Sequence, residues 1–250
     1  DRNHETLEER DQKFAGILKD TISRGGAVVI PAFSLERTQN ILYALNNLIE
    51  DKKIPSVPVF VDSPLAIRVT EIYREEQKNF KAAIKREIAA GDDIFNFPKL
   101  QFTESSRESD KIERTKNPKI ILAGSGMSAG GRVTRHEKNY LGDPKSTILL
   151  VGYQSLGTLG RKLYDGAKEV LIEGEKIKVQ AKIENISGFS SHKDMDHLIE
   201  FVEKCSATVK KVFVCMGEPK ASLFLIQRLR DYVGVDAIYP EKGRIYELDF

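Results

Sequence analysis

The sequence predicts an α/β fold with a mostly parallel sheet flanked by helices. Three observations lead to this prediction. Short runs of aliphatic residues recur along the chain, amphipathic stretches at helical spacing separate them, and glycine or serine follows most of the runs. Strands that alternate with helices in this way form parallel sheets that are covered on both faces.

The predicted strands are short apolar runs. They lie at residues 28–30, 57–61, 119–123, 147–151 and 212–214. After Gly174 the period changes, and the alternating apolar residues from Ile177 to Ile183 predict one half-buried strand. Residues 245–248 predict a closing strand.

The predicted helices follow the strands. Apolar residues recur at helical spacing within 41–49, 195–202 and 223–229, and a further helical pattern opens the chain. Ser34 and Ser63 stand where N-caps are expected, and Pro64 suits a first helical position because its missing N–H is not needed there. Ser105 and Glu108 have capping-box spacing, which predicts a short helix in the charged stretch 102–118.

The composition excludes several classes of protein. The chain has 250 residues, and 39 basic against 37 acidic side chains give a formal net charge of +2, unlike collagen, a disordered tail or a histone-like polycation. Its length suggests one large or two small domains. Cys205 and Cys215 are too few for a disulfide scaffold and are predicted to be buried thiols. No apolar run approaches the roughly 20 residues that span a bilayer, so we expect a soluble cytoplasmic protein without a membrane partner.

Four loops follow predicted strands and meet at one edge if the sheet is parallel. They are Phe33-Ser34, Asp62-Ser63, 124–131 and 152–160. Ligands of open α/β sheets bind at this edge, and glycine N–H groups with helix N-termini favour an anion such as phosphate. Arg37, Arg132 and Arg161 lie close by in sequence and are candidates to hold phosphate oxygens. The alternative for each arginine alone is a solvated helix residue.

Residues 124–129 read Gly-Ser-Gly-Met-Ser-Ala, which fits the dinucleotide-binding fingerprint and makes an oxidoreductase a competing hypothesis. The fingerprint also needs an acidic residue at the end of the next strand. Here that strand runs into Gly152, and the nearest acid, Asp143, precedes it. A nicotinamide or flavin site is therefore disfavoured.

The histidines do not supply a complete metal site. They are His4, His136, His192 and His197. A catalytic zinc site generally needs three protein ligands, and these spacings do not provide them. His192 stands just ahead of a predicted helix, where it can donate to a phosphate oxygen or act as an acid; the alternative is that its neighbours only cap the helix, with Ser191 as the N-cap. A triad of Ser190 or Ser191, His192 and Asp194 is disfavoured because adjacent side chains project in different directions.

Five segments, in order along the chain, resemble the motifs of one family. They are Ile-Pro-Ala-Phe-Ser-Leu-Glu-Arg-Thr-Gln at 30–39, the glycine loop from Gly124 to Arg132, Gly-Tyr-Gln with Gly-Thr-Leu-Gly-Arg at 152–161, Phe-Ser-Ser-His-Lys-Asp at 189–194 and Val-Cys-Met-Gly-Glu-Pro at 214–219. The resemblance is to the β-CASP nucleases, which include ribonuclease J and the endonuclease subunit of cleavage and polyadenylation specificity factor.

The resemblance implies a two-zinc ribonuclease of the metallo-β-lactamase fold, in which an inserted β-CASP domain clamps RNA over the metals. Most zinc ligands of the family precede a stretch like Asp1 to His4, so the chain resembles a carboxyl-terminal portion without the N-terminal metal-binding half. The expected organisation is a leader at 1–12, a β-CASP domain at 13–186 and the carboxyl-terminal βα portion of the αββα metallo-β-lactamase fold at 187–250. An RNA-specificity region is expected at about 152–204.

The resemblance also implies roles for single residues. His192 matches the histidine that the family places at the scissile phosphate. RNA or phosphate contacts are expected from Ser34, Arg37, Ser125, Gly126, Gly131, Arg132, Gly157, Thr158 and Arg161. Met216 occupies the place of the last zinc-ligating histidine, and a thioether is a poor ligand for zinc. Zinc is therefore expected in the full-length parent and not as a tightly bound metal of this chain.

The expected function is that of an RNA-binding and partly catalytic segment of a zinc-dependent RNA-processing nuclease, inactive as an isolated fragment. Single-stranded RNA is the expected partner, and a homodimer is left open. Internal cleavage against trimming from an end, and RNA against DNA, also stay open. A catalytically degenerate scaffold subunit of an RNA-processing complex is the first alternative, and the dinucleotide-binding oxidoreductase is the second.

Overall fold

The computed structural model describes residues 2–247. The chain forms two compact units. The larger unit runs from Glu5 to Ser190, and the described residues of the smaller one are 2–4 and 191–247. Asp1 of the predicted leader and residues 248–250 of the predicted carboxyl-terminal segment lie outside the described residues.

The larger unit alternates helices and strands. Its helices are α1 (Leu7–Ser23), α2 (Arg37–Glu50), α3 (Pro64–Glu75), α4 (Ala82–Ala89), α5 (Ser106–Arg114), α6 (Arg132–Tyr140) and α7 (Leu159–Tyr164), with a 3-10 turn at Gln77–Asn79. Its strands are β1 (Ala27–Pro31), β2 (Val59–Asp62), β3 (Leu100–Phe102), β4 (Lys119–Ala123), β5 (Thr147–Leu150), β6 (Glu169–Ile172), β7 (Glu175–Lys178) and β8 (Lys182–Asn185).

Six of these strands form one sheet in the order β3-β2-β4-β1-β5-β8, and every neighbouring pair is parallel. In the centre of the sheet, Ile30 of β1 lies opposite Leu122 of β4. Strands β6 and β7 pair separately as an antiparallel hairpin. The predicted α/β class with a mostly parallel sheet is confirmed.

Helices cover both faces of the sheet, because successive strand residues point to opposite sides. Val28 and Ile30 belong to the core shared with α1, α2 and α3. Ala27 and Val29 belong to the core shared with α5, α6 and α7. Burial on both sides explains why these strands read as continuous apolar runs instead of alternating ones.

Two of the predicted helix starts are confirmed. The Ser63 hydroxyl accepts a hydrogen bond from the Ala66 N–H at 3.3 Å, and Pro64 is the first residue of α3. Ser105 and Glu108 form the reciprocal capping box of α5. These caps satisfy backbone N–H groups that have no partner within the helix.

The predicted N-cap role of Ser34 is wrong. Helix α2 begins at Arg37, and its N-cap residue is Glu36, at a φ of 65° and without a side-chain cap. The preceding turn is closed by the Thr38 N–H and hydroxyl, which both donate to the Phe33 carbonyl. The Ser34 hydroxyl instead lies 3.2 Å from the Ser63 hydroxyl.

The single half-buried strand predicted from Ile177 to Ile183 is also wrong, since it is divided between β7 and β8. The break occurs where the N–H groups of Gln180 and Ala181 both donate to the Leu141 carbonyl, at 2.8 and 2.9 Å. The chain therefore leaves the hairpin and joins the edge of the large sheet within three residues. The short strands β3 and β6 were not predicted.

The smaller unit contains α8 (Met195–Glu203), β9 (Val212–Phe213), α9 (Pro219–Arg228), a π-helical turn (Leu229–Val233) and β10 (Ala237–Ile238). Strands β9 and β10 are parallel, and a small core forms around Val202, Ile226, Leu229, Val235 and Ala237. The predicted closing strand is wrong for residues 245–247, which are not in a strand, and Leu248 lies outside the described residues.

Two further predictions for the smaller unit are wrong. The N-cap of α8 is Asp194 and not Ser191, because the Asp194 carboxylate accepts from the His197 N–H at 3.1 Å. Cys205 and Cys215 are both exposed, since one follows the end of α8 and the other follows β9, outside the small core. None of the helices among residues 2–247 combines the length and apolar character needed to cross a bilayer.

Candidate functional site

An open groove of about 670 Å³ lies at the carboxyl ends of β1, β2 and β4. Because the strands are parallel, the loops that follow them meet at the same edge of the sheet. The residues that line the groove are Ala32, Phe33, Ser34, Leu35, Asp62, Ser63, Pro64, Leu65, Arg68, Gly124, Ser125, Gly131 and Arg132. The structure thus brings three of the four predicted loops together, including Ser34, Ser125, Gly131 and Arg132.

Asp62, the last residue of β2, is the centre of a buried polar network. Its Oδ1 accepts from the Thr103 hydroxyl at 2.8 Å and from Arg132 Nη1 at 2.7 Å. Its Oδ2 accepts from the Ser109 hydroxyl and from His136 Nε2, both at 2.7 Å. Burial raises the pKa of Asp62, but these hydrogen bonds outweigh it and lower the pKa to about 2. The ionised carboxylate therefore holds the proton of His136 on Nε2.

Most of the hydrogen-bond donors of Arg132 are occupied by partners within the protein. Besides Asp62, its guanidinium donates to the carbonyls of Thr103 at 2.8 Å and Glu104 at 2.7 Å. These bonds occupy three of the five N–H donors of the side chain, which is 24% exposed. They join the start of α6 to the residues after β3. The phosphate contact of Arg132 stays a prediction, and at most two of its N–H donors are available for it.

The glycines of the loop 124–131 are needed for close packing. A Cβ on Gly131, which has a φ of 77°, would lie 2.8 Å from the Gly124 carbonyl oxygen. A Cβ on Gly126 would lie 2.7 Å from Phe33 Cδ2. The Ser125 hydroxyl accepts weakly from the Ala129 N–H at 3.4 Å. Gly131 lines the groove, whereas Gly126 packs against Phe33 and is not among the lining residues, so its RNA contact stays a prediction.

A buried acid lies under the same loop. Glu137 of α6 has no solvent exposure, and Ser128 of the loop donates a hydrogen bond to its Oε1. Burial raises the pKa of Glu137 to about 7, and the bond from Ser128 opposes that shift only in part. Its Oε2 has no hydrogen-bond partner among the described residues. This carboxyl group is therefore poised to gain or lose a proton near neutral pH.

Phe33 and Arg68 line the groove, but neither was assigned a role from the sequence. The Phe33 side chain is 45% exposed although its ring contacts the Gly126 backbone. Arg68 lies in the second turn of α3, is exposed, and has no hydrogen bond or ion pair among the described residues. The available signals were an aromatic residue directly after a strand and an arginine four residues after Pro64.

Arg37 is not among the residues that line the groove. It is only 8% exposed, and its Nε and Nη1 have no hydrogen-bond partner among the described residues. Burial lowers its pKa, and the neighbouring Glu36 raises it by a smaller amount. The alternative of a solvated helix residue is therefore wrong for Arg37, and its role as a phosphate contact stays a prediction.

Gly157, Thr158 and Arg161 also lie outside the groove lining. The Thr158 hydroxyl caps α7 by accepting from the Arg161 N–H at 3.1 Å, and Gly157 has a φ of 86°. Arg161 pairs through Nε with the Asp165 carboxylate at 2.9 Å and donates through Nη1 to the Gln154 carbonyl at 3.3 Å. The segment contacts the glycine loop through the Gly160 N–H, which donates to Met127. RNA binding by these three residues stays a prediction.

His192 and Met216 belong to the smaller unit. His192 is exposed and precedes α8. Met216 is fully exposed with a φ of 65°. Across residues 2–247, no group of three or more His, Cys, Asp or Glu side chains is placed to hold a metal ion. The donors described in this chain therefore do not fit a zinc site.

The dinucleotide hypothesis does not gain support from the glycine loop. A fingerprint of this type places the pyrophosphate at a helix N-terminus that opens within the motif. Helix α6 begins only at Arg132, six residues after Gly126. The loop therefore has the sequence of the fingerprint without its strand–turn–helix geometry.

Two family models match the chain. The Beta-Casp domain matches residues 38–163, and the Zn-dependent metallo-hydrolase RNA specificity domain matches residues 176–240. The first includes α2 and most of the large sheet, and the second includes β8 and α8.

The chain is also similar to named proteins. It is 36% identical to Ribonuclease TTHA0252 of Thermus thermophilus over 81% of this chain and 47% of the relative. It is 33% identical to the RNase J-like protein of Methanocaldococcus jannaschii over 91% of this chain and 52% of the relative. It is 32% identical to Transcription termination factor FttA of Methanosarcina mazei over 88% of this chain and 35% of the relative.

The chain thus spans about half or less of the length of these curated relatives. The Beta-Casp match covers half of the chain, and the motifs that line the groove fall in or next to it. The chain belongs to the β-CASP family of metallo-β-lactamase-fold ribonucleases.

Proposed function

We propose that the chain is the RNA-binding and partly catalytic segment of a zinc-dependent RNA-processing nuclease that hydrolyses phosphodiester bonds. The observation that supports this proposal best is the groove at the carboxyl ends of β1, β2 and β4. Two motif segments of the family, 30–39 and 124–132, contribute to its lining, and an exposed arginine, Arg68, lines it as well. A relative named as a ribonuclease and the match to the RNA specificity domain support RNA as the ligand.

The groove offers an RNA strand two kinds of contact. Hydroxyl groups of Ser34, Ser63 and Ser125 and the backbone of the glycine loop supply hydrogen-bonding groups. The N-termini of α3 and α6 add partial positive charge, which favours a phosphate. Phosphate contacts position a strand without reading its sequence.

Three further parts of the proposal concern the whole protein. His192 acts at the scissile phosphate, zinc belongs to a longer parent and is not held tightly by this chain, and the location is cytoplasmic. The proposal also keeps the expected domain organisation, with a leader at 1–12, a β-CASP domain at 13–186 and the carboxyl-terminal portion at 187–250. It includes the RNA-specificity region at about 152–204 and a homodimer.

The nuclease part of the proposal is tested with the purified chain and labelled single-stranded RNA. Because the donors described here do not fit a metal site, we expect no cleavage with or without added zinc. Cleavage that EDTA abolishes, and that the His192→Ala variant lacks, would contradict the proposed inactivity of the isolated chain.

The RNA-binding part is tested by titration at several salt concentrations. Binding through phosphates releases counterions, so the association constant should fall steeply as salt rises. Affinity that does not change with salt would contradict binding through the groove cations.

A catalytically degenerate scaffold subunit is the second candidate, and Met216 favours it. A thioether at the place of a zinc-ligating histidine weakens a metal site. Co-purification with a full-length homologue, with no zinc in the isolated or the reconstituted form, would support the scaffold. Stoichiometric zinc in the reconstituted complex would contradict it.

A further inference from the structure

We propose that Phe33 and Arg68 form a subsite for one unpaired nucleotide, with the base stacked on the Phe33 ring and a phosphate paired with Arg68. The subsite lies in the groove and rests on the proposed RNA-binding function. The proposal gives a role to Phe33 and Arg68, which had none in the sequence analysis. Because stacking and a phosphate pair do not read the base edge, the subsite should accept any base.

Phe33 is prepared for stacking. One side of its ring packs on the Gly126 backbone, where a Cβ would come within 2.7 to 3.0 Å of three ring carbons. Its carbonyl is held by the Thr38 N–H at 3.2 Å and the Thr38 hydroxyl at 2.8 Å. The ring nevertheless remains 45% exposed toward the groove. A ring that is already fixed loses little conformational freedom when a base stacks on it.

Arg68 is the cation that remains available. Arg132, the other arginine of the lining, is committed to Asp62 and to two backbone carbonyls. Asp62 is the acidic residue of the lining, and its charge is balanced by that same network. Arg68 is exposed and has no described partner, so a phosphate can form a charge-assisted pair with it.

The shape and chemistry of the groove favour an unpaired base. Its volume of about 670 Å³ falls within the usual range for small-ligand sites, and Leu35 and Leu65 add exposed apolar surface beside Phe33. A base in a duplex is already stacked and does not offer its face to a ring. The Ser34 and Ser63 hydroxyls can each both donate and accept, so they can contact RNA without selecting one base.

The test uses the 250-residue chain and fluorescence anisotropy with a labelled oligouridylate of about eight nucleotides. Phe33→Leu removes the ring, and Arg68→Gln removes the charge. Leu7→Ala and Arg86→Gln are the controls, because both residues are exposed, neither lines the groove, and both lie outside the RNA-specificity region. Circular dichroism and thermal unfolding confirm that each variant folds like the parent chain.

Phe33→Leu should weaken binding about five- to tenfold without changing the salt dependence, since stacking involves no counterion. Arg68→Gln should reduce the slope of log K against log salt by about 0.7, the value for one contact on a single strand. With an abasic oligomer of the same length, the Phe33 effect should vanish and the Arg68 effect should remain.

Three results would overturn the subsite. They are variants that bind like their matched controls, a Phe33 effect that persists on the abasic oligomer, and a duplex that binds as tightly as the single strand. In the first and second cases the parent chain still binds RNA, so the proposed function stands. A parent chain that shows no salt-dependent RNA binding overturns the proposed function and the subsite together.

Discussion

His136 donates a hydrogen bond from Nε2 to the Asp62 carboxylate at 2.7 Å, and both side chains are fully buried. This bond ties α6 to the end of β2, beneath the groove. Arg132 lies on the same helix as His136 and pairs with the other carboxylate oxygen of Asp62. One buried carboxylate therefore fixes the positions of two loops that line the groove.

Asp62→Asn should destabilise the chain by about 3 kcal/mol, because it removes one charge from a buried network and leaves Arg132 uncompensated. Urea unfolding at pH 7 measures the effect. Asp110→Asn is the matched control, since Asp110 pairs with Arg135 at a partly exposed position where such a pair contributes less than about 1 kcal/mol. Equal losses for the two variants would show that the buried Asp62 network contributes no more to stability than an exposed ion pair.

The same variant should change the response to acid. The pKa of Asp62 is lowered from 3.8 to about 2, so its stabilisation is fully present above pH 3.8 and is lost as the pH falls through about 2. The parent chain should lose stability in that window more steeply than Asp62→Asn does. Parallel acid profiles would contradict the low pKa.

Glu137 should make the chain less stable as the pH rises, whereas Asp62 makes it less stable as the pH falls, and the Glu137 effect should occur at a higher pH. Its pKa is raised from 4.5 to about 7, so the folded chain keeps a proton that the unfolded chain releases between these values. Stability should therefore fall as the pH rises from 4.5 to 7, by up to ~3 kcal/mol. Glu137→Gln, which stays neutral, should match the parent chain near pH 4 and exceed its stability at pH 8. Urea unfolding across this range measures the difference, and a constant offset between the two proteins would refute the raised pKa.

Much of the fold follows from the sequence because burial on both faces leaves a strong signal. The central strands appear in the sequence as uninterrupted apolar runs. Ser63 and Pro64 mark the start of α3, and Ser105 marks the start of α5, because their side chains cap or suit a helix N-terminus. The divided strand at Ile177 to Ile183 could not be predicted, since its break depends on the Leu141 carbonyl, which is distant in sequence. The pattern of apolar and polar residues within 177–183 carries no information about a contact with Leu141.

The site was predicted at the level of its location and less well at the level of its side chains. Parallel strands place their following loops at one edge, which brings Ser34, Ser125 and Arg132 together. The sequence cannot show that Arg132 is consumed by Asp62 and carbonyl groups while Arg68 is left exposed. Hydrogen bonding between distant segments decides which arginine can meet a ligand.

Arg37→Met should separate stability from RNA binding. The variant keeps the aliphatic stem and removes buried N–H donors that have no described partner, so the free energy of unfolding should rise by about 1 kcal/mol. If Arg37 contacts phosphate as predicted, RNA affinity should fall and the salt dependence should become shallower. Urea unfolding and anisotropy measure the two effects. A loss of stability instead would show that the guanidinium is satisfied within the folded chain.

Gly126→Ala should weaken RNA binding through Phe33. The new Cβ would lie 2.7 Å from Phe33 Cδ2, so the ring must move away from its place against the loop. Overpacking of this kind costs about 1 to 3 kcal/mol of stability, and the displaced ring should lose the same stacking as in Phe33→Leu. Gly16→Ala is the matched control, because Gly16 is exposed on α1 with nothing within 4 Å of a Cβ, and alanine should stabilise that helix by about 0.5 to 1 kcal/mol. Thermal unfolding and oligouridylate titration distinguish the two. Normal RNA affinity in Gly126→Ala, with the ring forced aside, would mean that the base does not stack on Phe33.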